Sequence, residues 1–190
     1  ARYDGISKLS DNRWGFFPGI SAGWNVHEEA FFKDSKFAEV VSLIKPRISY
    51  GLNGNVNGIG NFDVYGKYGS VGAYNGNLGY LNTGVVNSKL RWEKSHTFEL
   101  GLDLGFFNNR IHMIMDYYDR TTSDLLTDVN LPEYTGFPSF KTNLGTISNC
   151  GFELEAKVNL LTRKDWSWDV TANTSFVKNM VKKLPFNGNV

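Results

Sequence analysis

Residues 97 to 107 read Thr-Phe-Glu-Leu-Gly-Leu-Asp-Leu-Gly-Phe-Phe. Phe98, Leu100, Leu102, Leu104 and Phe106 occupy the even positions; Thr97, Glu99, Gly101, Asp103 and Gly105 occupy the odd ones. Successive side chains of a β-strand point to opposite faces, so this stretch predicts a strand with one greasy and one polar face. Asn108-Asn109 reads as a two-residue hairpin turn. The return strand, Arg110 to Thr121, sets Ile111, Met113, Met115 and Tyr117 against Arg110, His112, Asp116 and Arg120, with Ile114 as an exception.

The pattern recurs outward from there. Residues 150 to 160 set Phe152, Leu154, Ala156, Val158 and Leu160 against Gly151, Glu153, Glu155, Lys157 and Asn159. After a short turn at 162–165, Trp166, Trp168, Val170, Ala172, Thr174 and Phe176 alternate with Ser167, Asp169, Thr171, Asn173 and Ser175. Two earlier segments fit less cleanly. In 14–25, Trp14, Phe16, Pro18, Ile20, Ala22 and Trp24 share a face, and Pro18, lacking an N–H, predicts an irregular point or an edge. In 45–52, Ile48, Tyr50 and Leu52 oppose Arg47, Ser49 and Gly51.

Connections alternate in length: short at 108–109 and 162–165, long at 53–91 and 122–148. The segment 26–44 is an exception on the short side, where the i, i+3, i+4, i+7 spacing of Phe37, Val40, Val41 and Ile44 predicts a short amphipathic helix over 35–44. Traced from these turns, the short-turn end collects Trp24, Phe106, Trp166 and Trp168, and the long-loop end Trp14, Tyr50, Trp92, Tyr117 and Phe176. Aliphatic residues lie between: Ile20, Ala22, Leu100, Leu102, Met113, Ala156, Val170 and Ala172. Aromatic rims around an aliphatic band are the girdles of a lipid-facing barrel wall. A soluble β-sandwich also alternates. Strands of about 10–12 residues, rather than the usual 5–6, and the alternating loops favour an all-β, antiparallel transmembrane barrel with long extracellular loops.

Composition sets limits. The chain has 190 residues, of which 15% are aromatic, with 20 Gly and 5 Pro. Lys+Arg number 20 against Asp+Glu 19, so no basic surface for nucleic acid is present. The lone Cys150 forms no internal disulfide, and no Cys/His set has metal-ligand spacing. No apolar run approaches the roughly 18 residues of a membrane helix. Mean hydropathy is −0.32, a test blind to barrels because inward polar residues dilute outward apolar ones. The start at Ala1, with Arg2-Tyr3-Asp4 reading as the end of a strand, and the turn-like Asn187-Gly188-Asn189 predict a piece of a longer polypeptide.

Several segments resemble the SusC/RagA family of TonB-dependent outer-membrane transporters from Bacteroidota. They are Arg2-Tyr3-Asp4-Gly5, Asn12-Arg13-Trp14-Gly15 with Phe17-Pro18, Ser21-Ala22-Gly23-Trp24, Arg47-Ile48-Ser49-Tyr50-Gly51 with Gly54-Asn55, and Leu90-Arg91-Trp92-Glu93. Gly101-Leu102-Asp103-Leu104, Asn109-Arg110-Ile111, Asp116-Tyr117-Tyr118, and Thr122, Asp124, Leu125 and Leu126 complete an ordered series over most of 1–178. The resemblance implies import of large nutrients, oligosaccharides or peptides, across the cell outer membrane. It also implies a SusD-like surface lipoprotein as partner, energy from the TonB complex, and contact with outer-membrane lipid. A TonB box, an N-terminal plug and a closing C-terminal strand are not found, so residues 1–190 are expected to be a partial barrel domain. About six spanning strands plus the end of another compare with about 22 in plugged transporters.

No catalytic, cofactor-binding or metal-binding residue is expected. His27, His96 and His112 are far apart and read as solvated or lumen-facing. Glu153 and Glu155 share a face, as a glycosidase pair does, but so do Glu99, Asp103, Arg110, His112, Asp116 and Lys157. A hydrated lumen of mixed charge accounts for all eight. In the Asn- and Gly-rich loop, Phe62, Tyr65, Tyr68, Tyr74 and Tyr80 are candidate substrate-binding residues, with packing of the loop as the alternative. The second functional reading is a non-transporting β-domain acting as an adhesin or glycan-binding module.

Overall fold

The computed structural model describes residues 1–184. Its strands are β1 (Arg2–Gly5), β2 (Trp14–Phe17), β3 (Gly19–Gly23), β4 (Val41–Asn55), β5 (Tyr68–Tyr74), β6 (Asn77–Asn82), β7 (Glu93–Phe106), β8 (Ile111–Ser123), β9 (Leu126–Asn130), β10 (Ser139–Asn143), β11 (Thr146–Thr162) and β12 (Ser167–Lys183). Six of them form one antiparallel sheet in the order β12-β11-β8-β7-β4-β3. The sheet keeps the chain order of its strands, with β5–β6 inserted between β4 and β7 and β9–β10 between β8 and β11. β1–β2, β5–β6 and β9–β10 are separate antiparallel pairs. Pro18 separates β2 from β3, the irregular point its missing N–H predicted; its carbonyl still accepts the Leu52 N–H at 2.9 Å.

The register carries the alternation across the sheet. Ala22, Ile48, Leu100, Tyr117, Phe152 and Phe176 form one continuous row, and Ile44, Leu104, Met113, Ala156 and Ala172 another. Between them, on the opposite face, run Gly23, Arg47, Gly101, Asp116, Glu153 and Ser175. Outward of Tyr117 and Phe176 the apolar face turns polar, at Asp119, Thr121 and Lys178.

Trp24 donates its N–H to Pro46 and stands on the row Pro46, Leu102, Met115, Leu154, Thr174. Trp168, on β12, lies at the same end of the sheet, five strands on and six residues from Thr174. From Trp168 to Phe176, β12 runs about 26 Å.

One expectation needs correction. The helix predicted over 35–44 lies earlier: one α-helical turn, α1 (Ala30–Lys33), is followed by a 3-10 turn at Lys36–Glu39. Val41 and Ile44 are in β4, facing Phe106 and Leu104. They are β-branched, which disfavours helix, and the ladder to β7 takes their backbone. The long loops hold hairpins of their own, β5–β6 and β9–β10. Asn75-Gly76, both at positive φ (47° and 78°), is the tight-turn dipeptide that marks the first.

The buried core is not under the sheet. It is a cluster of Leu9, Phe17, Ile59, Val64, Leu90 and Trp92, built by the outer loops and the ends of β2 and β7, with Ile6, Leu52, Val56 and Leu126 packed against it. A single sheet with no second layer has nowhere else to bury apolar side chains.

Candidate functional site

The polar face is organised by Arg47. Its guanidinium Nη2 donates to Asp103 Oδ1 at 2.8 Å and to Asp116 Oδ1 at 3.0 Å, joining β4, β7 and β8. Gly101 makes this possible: a Cβ there would stand 2.8 Å from Arg47 Cζ and 2.6 Å from Asp116 Oδ1, so only glycine lets the guanidinium lie flat on the sheet. Ser49 donates to Glu99 at 3.1 Å alongside. Arg47, Ser49, Glu99, Gly101 and Asp116, with Lys45, line a groove of about 300 Å³. A wider groove of about 590 Å³ continues between Asp116, Glu153, Glu155, Asn173 and Ser175. Charges of both signs in open grooves suit passage of polar solutes better than tight capture of one.

All eight residues read as lumen-facing lie on this one face. Asp116 pairs with Glu153, His112 with Lys157, and Glu155 sits opposite the exceptional Ile114. Arg110 stands at the inner mouth, donating to the carbonyls of Asn159 and Leu160 at 3.0 Å, in a recess shared with His112, Lys157 and Asp169. His96 is instead on the apolar face near its outer margin, its Nδ1 3.1 Å from the Tyr50 hydroxyl. His27 Nδ1 meets the Ile44 carbonyl at 3.3 Å.

Over the outer end of the polar face lies the loop platform. Phe17 is on the polar-face parity of β2, and its ring fills the space where Gly15 and Gly54 have no Cβ. Trp92 packs against it edge-on, with ring centroids 5.3 Å apart, and its indole N–H donates to the Arg13 carbonyl at 3.3 Å. Trp92 is thus 8% exposed and inside the platform, which corrects its assignment to the outer girdle. It precedes the first paired residue of β7, Glu93, so strand alternation does not govern it.

Polar side chains tie the platform together. Asn143, buried on β10, accepts the Arg91 N–H at 2.9 Å and donates to the carbonyls of Arg91 and Asp124 at 2.8 Å. Arg91 pairs with Asp124 at 2.7 Å, and that hydrogen bond holds the Asp124 carboxyl below the ordinary aspartate range. Burial pushes the Asp63 carboxyl up, but the Lys67 hydrogen bond at 2.7 Å, the Gly60 N–H and the Lys141 charge together outweigh it and leave it lowered. Lys141 belongs to β10, so Asp63 joins the two long loops.

The five loop aromatics are placed differently from one another but are all exposed. Phe62 and Tyr65 are in the turn at 61–65, Tyr68, Tyr74 and Tyr80 on the β5–β6 hairpin, with Tyr74 at its tip and 87% exposed. Ile59 and Val64 of the same loop are packed into the buried cluster. Sequence reasoning passed over Phe17, Asp63 and Asn143. Parity alone put Phe17 on the polar face, a signal that it has an unusual partner; nothing local marks Asn143.

A family model described as TonB dependent receptor-like, beta-barrel matches residues 1–189. The chain is 38% identical over 189 residues to TonB-dependent receptor P3 of Formosa agariphila, covering 97% of this chain and 18% of that protein. It is 37% identical over 192 residues to the TonB-dependent receptor SusC of Bacteroides thetaiotaomicron, covering 96% and 19%. Among solved structures it is similar to the RagAB peptide importer in its closed-closed state, with TM-score 0.88, 31% identity and coverage of 98% of this chain and 20% of that one. The open-open state gives 0.84 at 32% identity, covering 96% and 20%. The chain therefore spans about a fifth of the length of the relatives it matches. The expected kinship with the SusC/RagA group and the all-β barrel class are borne out.

Proposed function

The chain belongs to the TonB-dependent receptor β-barrel family, and on that premise we propose that it forms a sector of the wall of an outer-membrane importer for large nutrients, oligosaccharides or peptides. The carrying observation is the two-faced sheet: an apolar band with aromatic rims on one side, and on the other the hydrated, mixed-charge grooves around Arg47. The apolar face meets outer-membrane lipid and the polar face lines the lumen. β3 and β12 each pair on one side only among the described residues, and further strands of the receptor complete the barrel against them. Transport then depends on the TonB complex, and a SusD-like surface lipoprotein closes the outer side. RagAB is a peptide importer, which supports peptides as one substrate class; the exposed Phe62, Tyr65, Tyr68, Tyr74 and Tyr80 offer stacking faces for either.

Adjacent residues on opposite faces test the wall. Met115 lies between Leu102 and Leu154 in mid-band, while Ile114 lies between Asp103 and Glu155. Met115→Arg is expected to destabilise the barrel by about 2–4 kcal/mol and lower its yield in the outer membrane, with Ile114→Arg close to wild type. Equal effects at the two positions overturn the lipid-facing assignment. For import, cells given labelled oligosaccharides and peptides should lose uptake of one class when TonB is removed; uptake indifferent to TonB overturns the importer reading.

A further inference from the structure

The inner connection between β3 and β4 exposes more aromatic surface than a turn needs. Trp24, Phe31 and Phe37 are all exposed, Phe37 by 73%. Trp24 continues the apolar-face parity of Ile20 and Ala22 through its ladder bond to Pro46, whereas Gly23 beside it faces Lys45 and Arg47 on the polar side. Phe31, on α1, sits beside Trp24 with ring centroids 6.3 Å apart, so its ring is at the inner end of the apolar face rather than of the polar one. The indole N–H of Trp24 donates to Glu29 Oε1 at 2.9 Å. Its polar atom is thus satisfied by the connection itself, and the ring is left free to face outward.

From this geometry we infer that residues 24–37 are an interfacial anchor, with Trp24, Phe31 and Phe37 set into the headgroup and acyl boundary of the membrane's inner leaflet. The occupant of this surface is lipid because the surface is continuous with the apolar wall at the depth of its inner aromatic rim, where amphipathic rings partition. The contact is apolar rather than electrostatic. Glu28, Glu29 and Asp34 outnumber Lys33 and Lys36 in the segment, and Lys33 is already engaged by Glu28 at 2.8 Å. Anionic headgroups are therefore not required, and zwitterionic phospholipid suffices.

The inference rests on the lipid-facing wall, and the test separates the two. In the receptor reconstituted in phosphatidylcholine nanodiscs, with Cys150→Ala as background, nitroxide labels are placed by Phe31→Cys, Phe37→Cys and, as controls, Leu102→Cys and Tyr74→Cys. Labels at 31 and 37 are expected to collide with oxygen several-fold more, relative to a water-soluble nickel reagent, than the label at 74. They should also keep that ratio when anionic lipid is added. Values at 31 and 37 equal to those at 74, with 102 still lipid-exposed, overturn the anchor while leaving the wall intact. An aqueous signal at 102 overturns both. If one labelled variant does not assemble, the other position gives the same readout.

Discussion

The six-stranded sheet and the outer loop platform spend apolar side chains in opposite ways. In the sheet, Ile48, Leu100 and Tyr117 lie in register and remain substantially exposed. In the platform, Leu9, Leu90 and Val64 are fully or almost fully buried. The sheet keeps its shape by backbone ladders and leaves its greasy face uncovered, as the proposed contact with lipid requires. The platform faces water and must supply its own interior, as a small soluble domain does. Polar groups invert likewise: Arg47, Asp103 and Asp116 sit in open grooves, while Asn143 is sealed in and spends its amide on backbone groups of two loops.

That contrast is breakable. The largest effect is expected from truncating the platform core. Leu90→Ala or Trp92→Ala should cost about 3–5 kcal/mol of platform stability, seen as faster amide exchange over residues 56–66 and 83–92 with the β7–β8 ladder still protected. Exchange spreading evenly into that ladder would mean that platform and wall are one cooperative unit. Next is Asn143→Leu, which strands the Arg91 N–H and two carbonyls; about 2–3 kcal/mol is expected, localised to the junction of the two long loops. The matching cut in the wall, Arg47→Met, should cost only about 0.5–1 kcal/mol, because the partly exposed guanidinium and its carboxylates are screened by water. A thermal-unfolding shift as large as that of Asn143→Leu would show the groove to be drier than its openness implies.

The smallest difference is a pH effect. Asp63 and Asp124 are held below the ordinary aspartate range in the folded platform. A lowered folded value stabilises above the unfolded one and is lost as pH falls through the folded one. Platform protection, corrected for intrinsic exchange, should therefore weaken below about pH 4, and Asp124→Asn should remove part of that dependence. Unchanged protection down to pH 2.5 would mean that neither pair contributes.

Much of the wall was legible in the sequence. Glu99, Asp103, Asp116, Glu153 and Glu155 could be assigned to one face by counting in twos, because alternation is built into the covalent geometry of an extended chain. Pro18 announced its own break for an equally local reason. The aromatic rims were also legible except at Trp92, where pairing stops and parity loses its hold. The helix at 35–44 failed because Val41 and Ile44 satisfy a helical spacing and a strand spacing alike, and the ladder to β7 chose between them. The platform was hardly legible at all: Phe17, Ile59, Leu90 and Asn143 come together from four distant segments, and no short window contains that meeting.

The sequence by itself determined which side chains share a face, where the greasy band begins and ends, and that charge collects on the other side. Only the tertiary structure decided that Arg47 bridges two aspartates across Gly101, that Trp92 turns inward onto Phe17, and that the Phe31 ring comes to lie beside Trp24. The division has a physical cause. Facing is set by bonds between neighbouring residues, whereas these contacts join residues tens of positions apart, whose loops close only when the whole arrangement offsets the lost chain entropy.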